Sequence, residues 1–152
     1  MDERGVIVQC PQCGQKNRLG YARLADPLQC ASCKATLSAP AEPIEIDSSA
    51  HFDALIAHAS VPVIVDYWAP WCGPCRMVAP EIQKVAARQA GRVIVVKVNT
   101  DELADLGERF RIRSIPTMAV FADGRELART TGARPAHDIE AFVEQATKNV
   151  GS

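Results

Sequence analysis

The sequence has no surplus of charge of either sign: seventeen Lys and Arg stand against eighteen Asp and Glu, for a formal net charge of -1. Phosphate backbones are bound by accumulated Lys and Arg, so nucleic acid is not an expected partner. No apolar run is long enough to span a bilayer, and no membrane partner is expected either. Met1-Asp2-Glu3-Arg4-Gly5 opens on acids, and no apolar core of signal-peptide length precedes Cys10. These features point to a cytoplasmic location, where cysteines serve metals or catalysis more often than structural disulfides. Large apolar side chains are also scarce in residues 1–40, too scarce for that segment to bury a core of its own.

What is present is an ordinary globular balance, 47% apolar and 23% charged residues over 152 positions, enough for one domain and a small companion. Six cysteines fall into three C-x-x-C pairs. Two of them, Cys10-Pro11-Gln12-Cys13 and Cys30-Ala31-Ser32-Cys33, are separated by sixteen residues, the spacing of a four-cysteine zinc site. Each pair makes a tight turn that aims two thiolates at one ion, and two turns complete a tetrahedron. A closed four-sulfur site has no open position for chemistry, so a structural zinc role is favoured over a catalytic one. Iron suits the same cage. The metal is expected to supply most of the folding free energy of this segment. A module that releases metal on oxidation, or that docks a partner and so regulates the rest of the chain, is the sharper alternative.

The expected division is a zinc module over residues 1–38, a linker over 39–43 with Pro40 and Pro43, and a second domain over 44–152. In the second domain Ile44-Glu45-Ile46 reads as an edge strand, and Ser48 or Ser49 caps a helix with Phe52, Leu55 and Ile56 on one face. Val61 to Trp68 and Arg92 to Val98 read as strands too apolar for a one-sided sheet. Each contains one charge. Asp66 is either a solvent-facing acid near a strand end or a buried carboxylate, and its flanks Val65 and Tyr67-Trp68 favour burial. A buried Asp has a raised pKa and exchanges protons near neutrality. Lys97 either snorkels from a strand end or pairs with that acid. A helix is expected over 74–90, interrupted by Pro80, another over Glu102 to Phe110 capped by Thr100, and a last one from Pro135. Asp123-Gly124 is a two-residue hairpin signal between strands Thr117–Phe121 and Arg125–Thr131. The order implies an α/β fold, a mixed central sheet with helices on both faces.

Trp71-Cys72-Gly73-Pro74-Cys75 stands at the strand-to-helix junction. There the free N–H groups and dipole of the helix favour a thiolate at Cys72, and Cys75 lies one turn behind at a distance a disulfide bridges. Pro74 suits the first helical turn, where its missing N–H costs nothing. Asp66, six residues before Cys72, is a candidate proton acceptor for the pair.

With Tyr67-Trp68-Ala69-Pro70-Trp71-Cys72-Gly73-Pro74-Cys75, Lys97-Val98-Asn99-Thr100-Asp101 and Ile115-Pro116-Thr117, residues 44 to 149 resemble the thioredoxin family. The two further C-x-x-C pairs extend the likeness to its bacterial branch with an N-terminal zinc-binding extension. The resemblance implies a thioredoxin fold with a cis-proline loop at Pro116 facing the cysteine pair. It also implies a groove for an extended substrate segment flanked by Ile115 and Gly132, with Trp71 covering the nucleophile and Gly73-Pro74 marking a reducing member. Asp66 and Lys97 match the family's buried acid and partner lysine. The implied activity is protein-disulfide reduction through a redox-active Cys72–Cys75 disulfide with no bound organic cofactor. The implied partners are disulfide-containing target proteins and an NADPH-dependent flavoprotein, thioredoxin reductase. A disulfide isomerase is a weaker reading, since it needs an oxidising compartment.

Overall fold

Val63–Trp68 (β6) forms the centre of a five-stranded sheet because its residues are apolar toward both faces and pair on both edges. It runs parallel to Ile94–Asn99 (β7) and antiparallel to Thr117–Ala122 (β8). Ile44–Glu45 (β5) lies parallel to β7 at one edge, and Arg125–Thr131 (β9) lies antiparallel to β8 at the other, giving the order β5-β7-β6-β8-β9. The structure, a computed structural model, describes residues 1–148; positions 149–152 of the expected second domain lie outside the described residues. Asp123 and Gly124 both have positive φ at the β8–β9 turn, as the hairpin signal requires.

Alternation along the strands divides the core in two. Val63, Val65 and Tyr67 of β6 and Val96 and Val98 of β7 pack with Phe52 and Leu55 of Ser49–His58 (α1) and Leu106 of Ala104–Arg109 (α3). Phe52, Phe110 and Phe121 meet edge to face with centroids 5.4 to 5.9 Å apart. Ile64 and Val95 point the other way, to Val78, Ile82 and Val85 of Gly73–Arg88 (α2) and Ile139 and Val143 of Ala136–Lys148 (α4). Asp66 and Lys97, two residues beyond Ile64 and Val95, share this second face.

Several ends differ from the sequence expectation for local reasons. Helix α1 is capped as expected, by Ser48, whose side chain accepts from His51 N–H. The helix expected from Glu102 starts only at Ala104, behind Leu103 and with no side-chain cap, while Asn99 Oδ1 accepts from Asp101 and Glu102 N–H at 2.9 and 3.3 Å in the turn before it. The Thr100 hydroxyl instead donates to the Trp68 carbonyl. Pro135 precedes α4, and the free N–H of Ala136 is taken by Glu81 Oε1 of α2 at 3.0 Å. Helix α2 spans 73–88 rather than 74–90 and keeps Pro80 inside it.

The N-terminal residues form two small hairpins, Gly5–Gln9 (β1) with Lys16–Gly20 (β2) and Leu28–Gln29 (β3) with Thr36–Leu37 (β4). They do not fold around themselves alone. Val6, Leu19, Tyr21 and Leu24 belong to the same buried cluster as Phe52, Leu55 and Val61. Ser60 stitches the junction, its N–H donating to the Tyr21 carbonyl and its hydroxyl accepting from Leu24 N–H. Apolar surface too small for a separate core is thus buried against α1.

Candidate functional site

Cys72 is the N-cap of α2. Its backbone is extended (φ -84, ψ 112) while Pro74 occupies the first turn, and its sulfur accepts from the Cys75 N–H at 3.2 Å. A sulfur receiving an N–H at a helix start is in the position that favours a thiolate. Cys72 and Cys75 are joined as a disulfide with Cα atoms 5.3 Å apart. The two cysteines are 3% and 4% exposed, so exposure does not distinguish them and the cap position does.

The Ile115–Pro116 peptide is cis, and Cys72 Sγ lies 3.7 Å from the Ile115 carbonyl oxygen. Gly132 N–H donates to the Pro116 carbonyl at 2.9 Å, with φ of 92°, which glycine alone adopts at no steric cost. The residues expected to flank a substrate groove, Ile115, Pro116 and Gly132, therefore meet beside the disulfide. Trp71 is 69% exposed, and its indole N–H donates to Asp101 Oδ1. Nothing lies within 4 Å of a Cβ built on Gly73, so the surface there is open.

Asp66 is 1% exposed, and its Oδ1 has no hydrogen-bond partner among the described residues. Burial raises its pKa from 3.8 to about 7, against the attraction of Lys97, which lowers it. Lys97 is the register partner of Asp66. Its Nζ lies 3.9 Å from Glu45 Oε1 and 4.6 Å from the centre of the Trp68 ring. The lysine is therefore neither a free snorkelling side chain nor in direct contact with the acid; it acts on Asp66 through space. Sequence reading missed Glu45, because a two-residue edge strand carries little pattern.

At the other end of the chain the Sγ atoms of Cys10, Cys13, Cys30 and Cys33 all lie within 4.8 Å of one another. Cys10 to Cys33 is 3.6 Å and Cys13 to Cys30 is 3.5 Å. Four sulfurs about 2.3 Å from one ion would stand about 3.8 Å apart in a tetrahedron, so this set fits a four-thiolate metal. The two turns are copies of each other: Gly14 N–H bonds the Cys10 carbonyl and Lys34 N–H the Cys30 carbonyl, both at 2.9 Å and both with positive φ. Backbone N–H groups, Cys13 first for Cys10 and Cys33 first for Cys30, draw both thiols down, Cys30 to about 6. Asn17, buried in β2, supports the second turn by accepting from Ala31 N–H at 3.0 Å. Its signal in the sequence was an Asn inside a strand, where that residue is disfavoured.

No helix among the described residues is long and apolar enough to cross a membrane. The family model named Thioredoxin matches residues 43–145. The chain is 36% identical over 140 residues to thioredoxin C-3 of Corynebacterium nephridii, covering 92% of this chain and 94% of that protein. It is 48% identical over 88 residues to thioredoxin 1 of Synechococcus elongatus, covering 58% of this chain and 82% of the relative. Among solved structures, a mutant thioredoxin from Halobacterium salinarum superposes with a TM-score of 0.64 at 29% identity, over 71% of this chain and 93% of that one. The cysteine pair at a helix start, the cis-proline beside it, the sheet order and these likenesses agree: the chain belongs to the thioredoxin family and is a thiol-disulfide oxidoreductase carrying a four-cysteine metal-binding extension.

Proposed function

We propose that this protein is a cytoplasmic protein-disulfide reductase, in which Cys72 attacks and Cys75 resolves. The observation that carries the reading is Cys72 at the N-cap of α2, bonded to Cys75 and beside the Ile115 carbonyl. In the reduced protein the Cys72 thiolate attacks one sulfur of a target disulfide, and a mixed disulfide forms as the first target thiolate leaves. Asp66, as carboxylate, takes the Cys75 proton through water. The Cys75 thiolate then attacks Cys72 Sγ, breaking the mixed disulfide and releasing the second target thiolate. Two electrons pass from the cysteine pair to the target, and two protons end on its thiols. Trp71, Gly73, Pro74, Ile115, Pro116 and Gly132 line the face that receives the extended target segment, with Lys97 tempering Asp66. Thioredoxin reductase, drawing on NADPH, returns the disulfide to the dithiol.

Cys10, Cys13, Cys30 and Cys33 would hold zinc, whose role is to tie the two turns of the module, residues 1–38, together. The linker 39–43 then leads into the thioredoxin domain, 44–152. The test of the reductase reading is Cys75→Ser, expected to accumulate mixed disulfides with protein substrates through Cys72, whereas Cys72→Ser abolishes turnover. Turnover retained in Cys72→Ser overturns the assignment.

One observation favours a second, regulatory role: Cys13 and Cys33 are exposed, so oxidants reach the metal cluster. Peroxide that ejects zinc and changes target choice supports redox sensing or partner docking. Loss of stability alone supports a structural metal.

A further inference from the structure

Strand β5 contributes two residues to the sheet, and they face opposite ways. Ile44 joins the apolar cluster on the α1 side. Glu45, paired with Lys97 in register, turns to the α2 side. There it lines a cavity of about 480 Å³ with Ala41, Glu42 and Pro43 of the linker, Ala79, Gln83 and Ala87 of α2, and Lys97. Lys97 thus has two acids within its electrostatic reach. Asp66 lies across one strand spacing in β6 and Glu45 across one strand spacing in β5. The ammonium stands 3.9 Å from Glu45 and lies over the Trp68 ring, while Asp66 Oδ1 has no partner among the described residues. Coulomb attraction to Glu45 draws the ammonium toward β5, and the Trp68 ring adds a cation–π contact.

We propose that Glu45 is a positioning residue for the thiol chemistry: it draws the Lys97 ammonium toward the linker edge of the sheet and so leaves the Asp66 carboxyl without a direct counter-ion. This rests on the reading of Asp66 as proton acceptor. The charged groups that act on Asp66 are Lys97 from β7 and Glu45 from β5, with Glu102 acting on Glu45 in turn. Met118, its register partner in β8, adds no charge. Glu45 raises the Asp66 pKa and Lys97 lowers it. A carboxyl left without a direct cation can be neutral when Cys72 attacks and ionised when Cys75 must lose its proton. A direct Lys97–Asp66 pair would hold it ionised throughout. Because Glu45 lies in the two-residue strand that follows the linker, the path of the linker reaches the proton balance of a site on another strand.

The experiment is the pH dependence of insulin-disulfide reduction by the full-length, pre-reduced protein, from about pH 5 to about pH 9. Glu45→Gln is expected to move the acidic midpoint to lower pH, raising the ratio of rates at about pH 6 and pH 8 about twofold. Glu45→Asp, which keeps the charge, is expected to return the midpoint toward that of the parent. In a Lys97→Met background the Glu45→Gln shift is expected to shrink. A profile unmoved by Glu45→Gln, while Asp66→Asn loses the acidic limb, overturns the role of Glu45 and leaves Asp66 in place. A full shift in the Lys97→Met background also overturns it, since Glu45 would then act as a bare charge. An acidic limb retained in Asp66→Asn overturns the proton-acceptor reading, and this inference with it.

Discussion

Asp66→Asn isolates the cost of a buried carboxyl. Asparagine has nearly the same shape and no titrating proton, so any constant packing or hydrogen-bond difference is independent of pH. The Asp66 pKa rises by burial from 3.8 to about 7 on folding. Below about pH 4 the group is neutral in both states and costs nothing as a charge. Between about pH 4 and 7 the unfolded chain gives up the proton while the folded chain keeps it, so stability falls as pH rises. Above about pH 7 both states are ionised, and the folded protein bears the full cost of a buried carboxylate, about 4 kcal/mol from the interval between the two pKa values. The stability of Asp66→Asn relative to the parent is therefore expected to grow by about 4 kcal/mol between pH 4 and 7, then level off. Urea unfolding of the oxidised proteins at fixed metal concentration, followed by far-ultraviolet dichroism, reads this difference directly. A difference that stays flat across the interval, whatever its offset, refutes the burial argument.

Leu24→Ala removes a side chain that packs into the α1 cluster and is expected to cost about 2–5 kcal/mol of stability, measured by urea unfolding. If the module were packed only on itself, the second domain would unfold at an unchanged urea concentration. Asn17→Leu takes away the acceptor for Ala31 N–H and is expected to weaken metal retention about 10- to 100-fold in competition with a chromogenic chelator, with reductase rate unaltered. An unchanged chelator midpoint would show that Asn17 does not support the metal turns.

The legible part of the fold lay where a long element and a local marker agreed. β6 read as a two-sided strand because five apolar or aromatic neighbours surround Asp66, and the start of α2 was marked by Pro74. The Asp123-Gly124 turn was equally plain, because positive φ is demanded there. The cis state of Ile115–Pro116 was not legible from residues alone, since most X-Pro bonds are trans, and it came only through family likeness. The start of α3 was misplaced because Thr100 suits a cap, whereas its hydroxyl turns back to the Trp68 carbonyl, Asn99 holds the N–H groups of the turn that follows, and the helix begins only at Ala104 without a side-chain cap. The companion surface of the module was hidden for a different reason. Val6, Leu19, Tyr21 and Leu24 are too few to show a period, and their partner helix lies some thirty residues further along the chain. At the site, the cysteines were readable from spacing, whereas Glu45 acquires meaning only from the register of β5 on β7.

The shared cluster between the N-terminal hairpins and α1 also orders events during synthesis. The hydrogen bonds that shape each metal turn are local, Gly14 to Cys10 and Lys34 to Cys30, so both turns can close once residue 37 has left the ribosome. Val6, Leu19, Tyr21 and Leu24 lack the larger part of their cluster until α1 and Val61 have emerged. At translation speeds of about 5–20 residues per second, that leaves a seconds-long interval in which the nascent module can capture metal yet has nothing to dock against. A metal bound in that interval is in place before burial, so the rest of the chain would be built onto turns already closed.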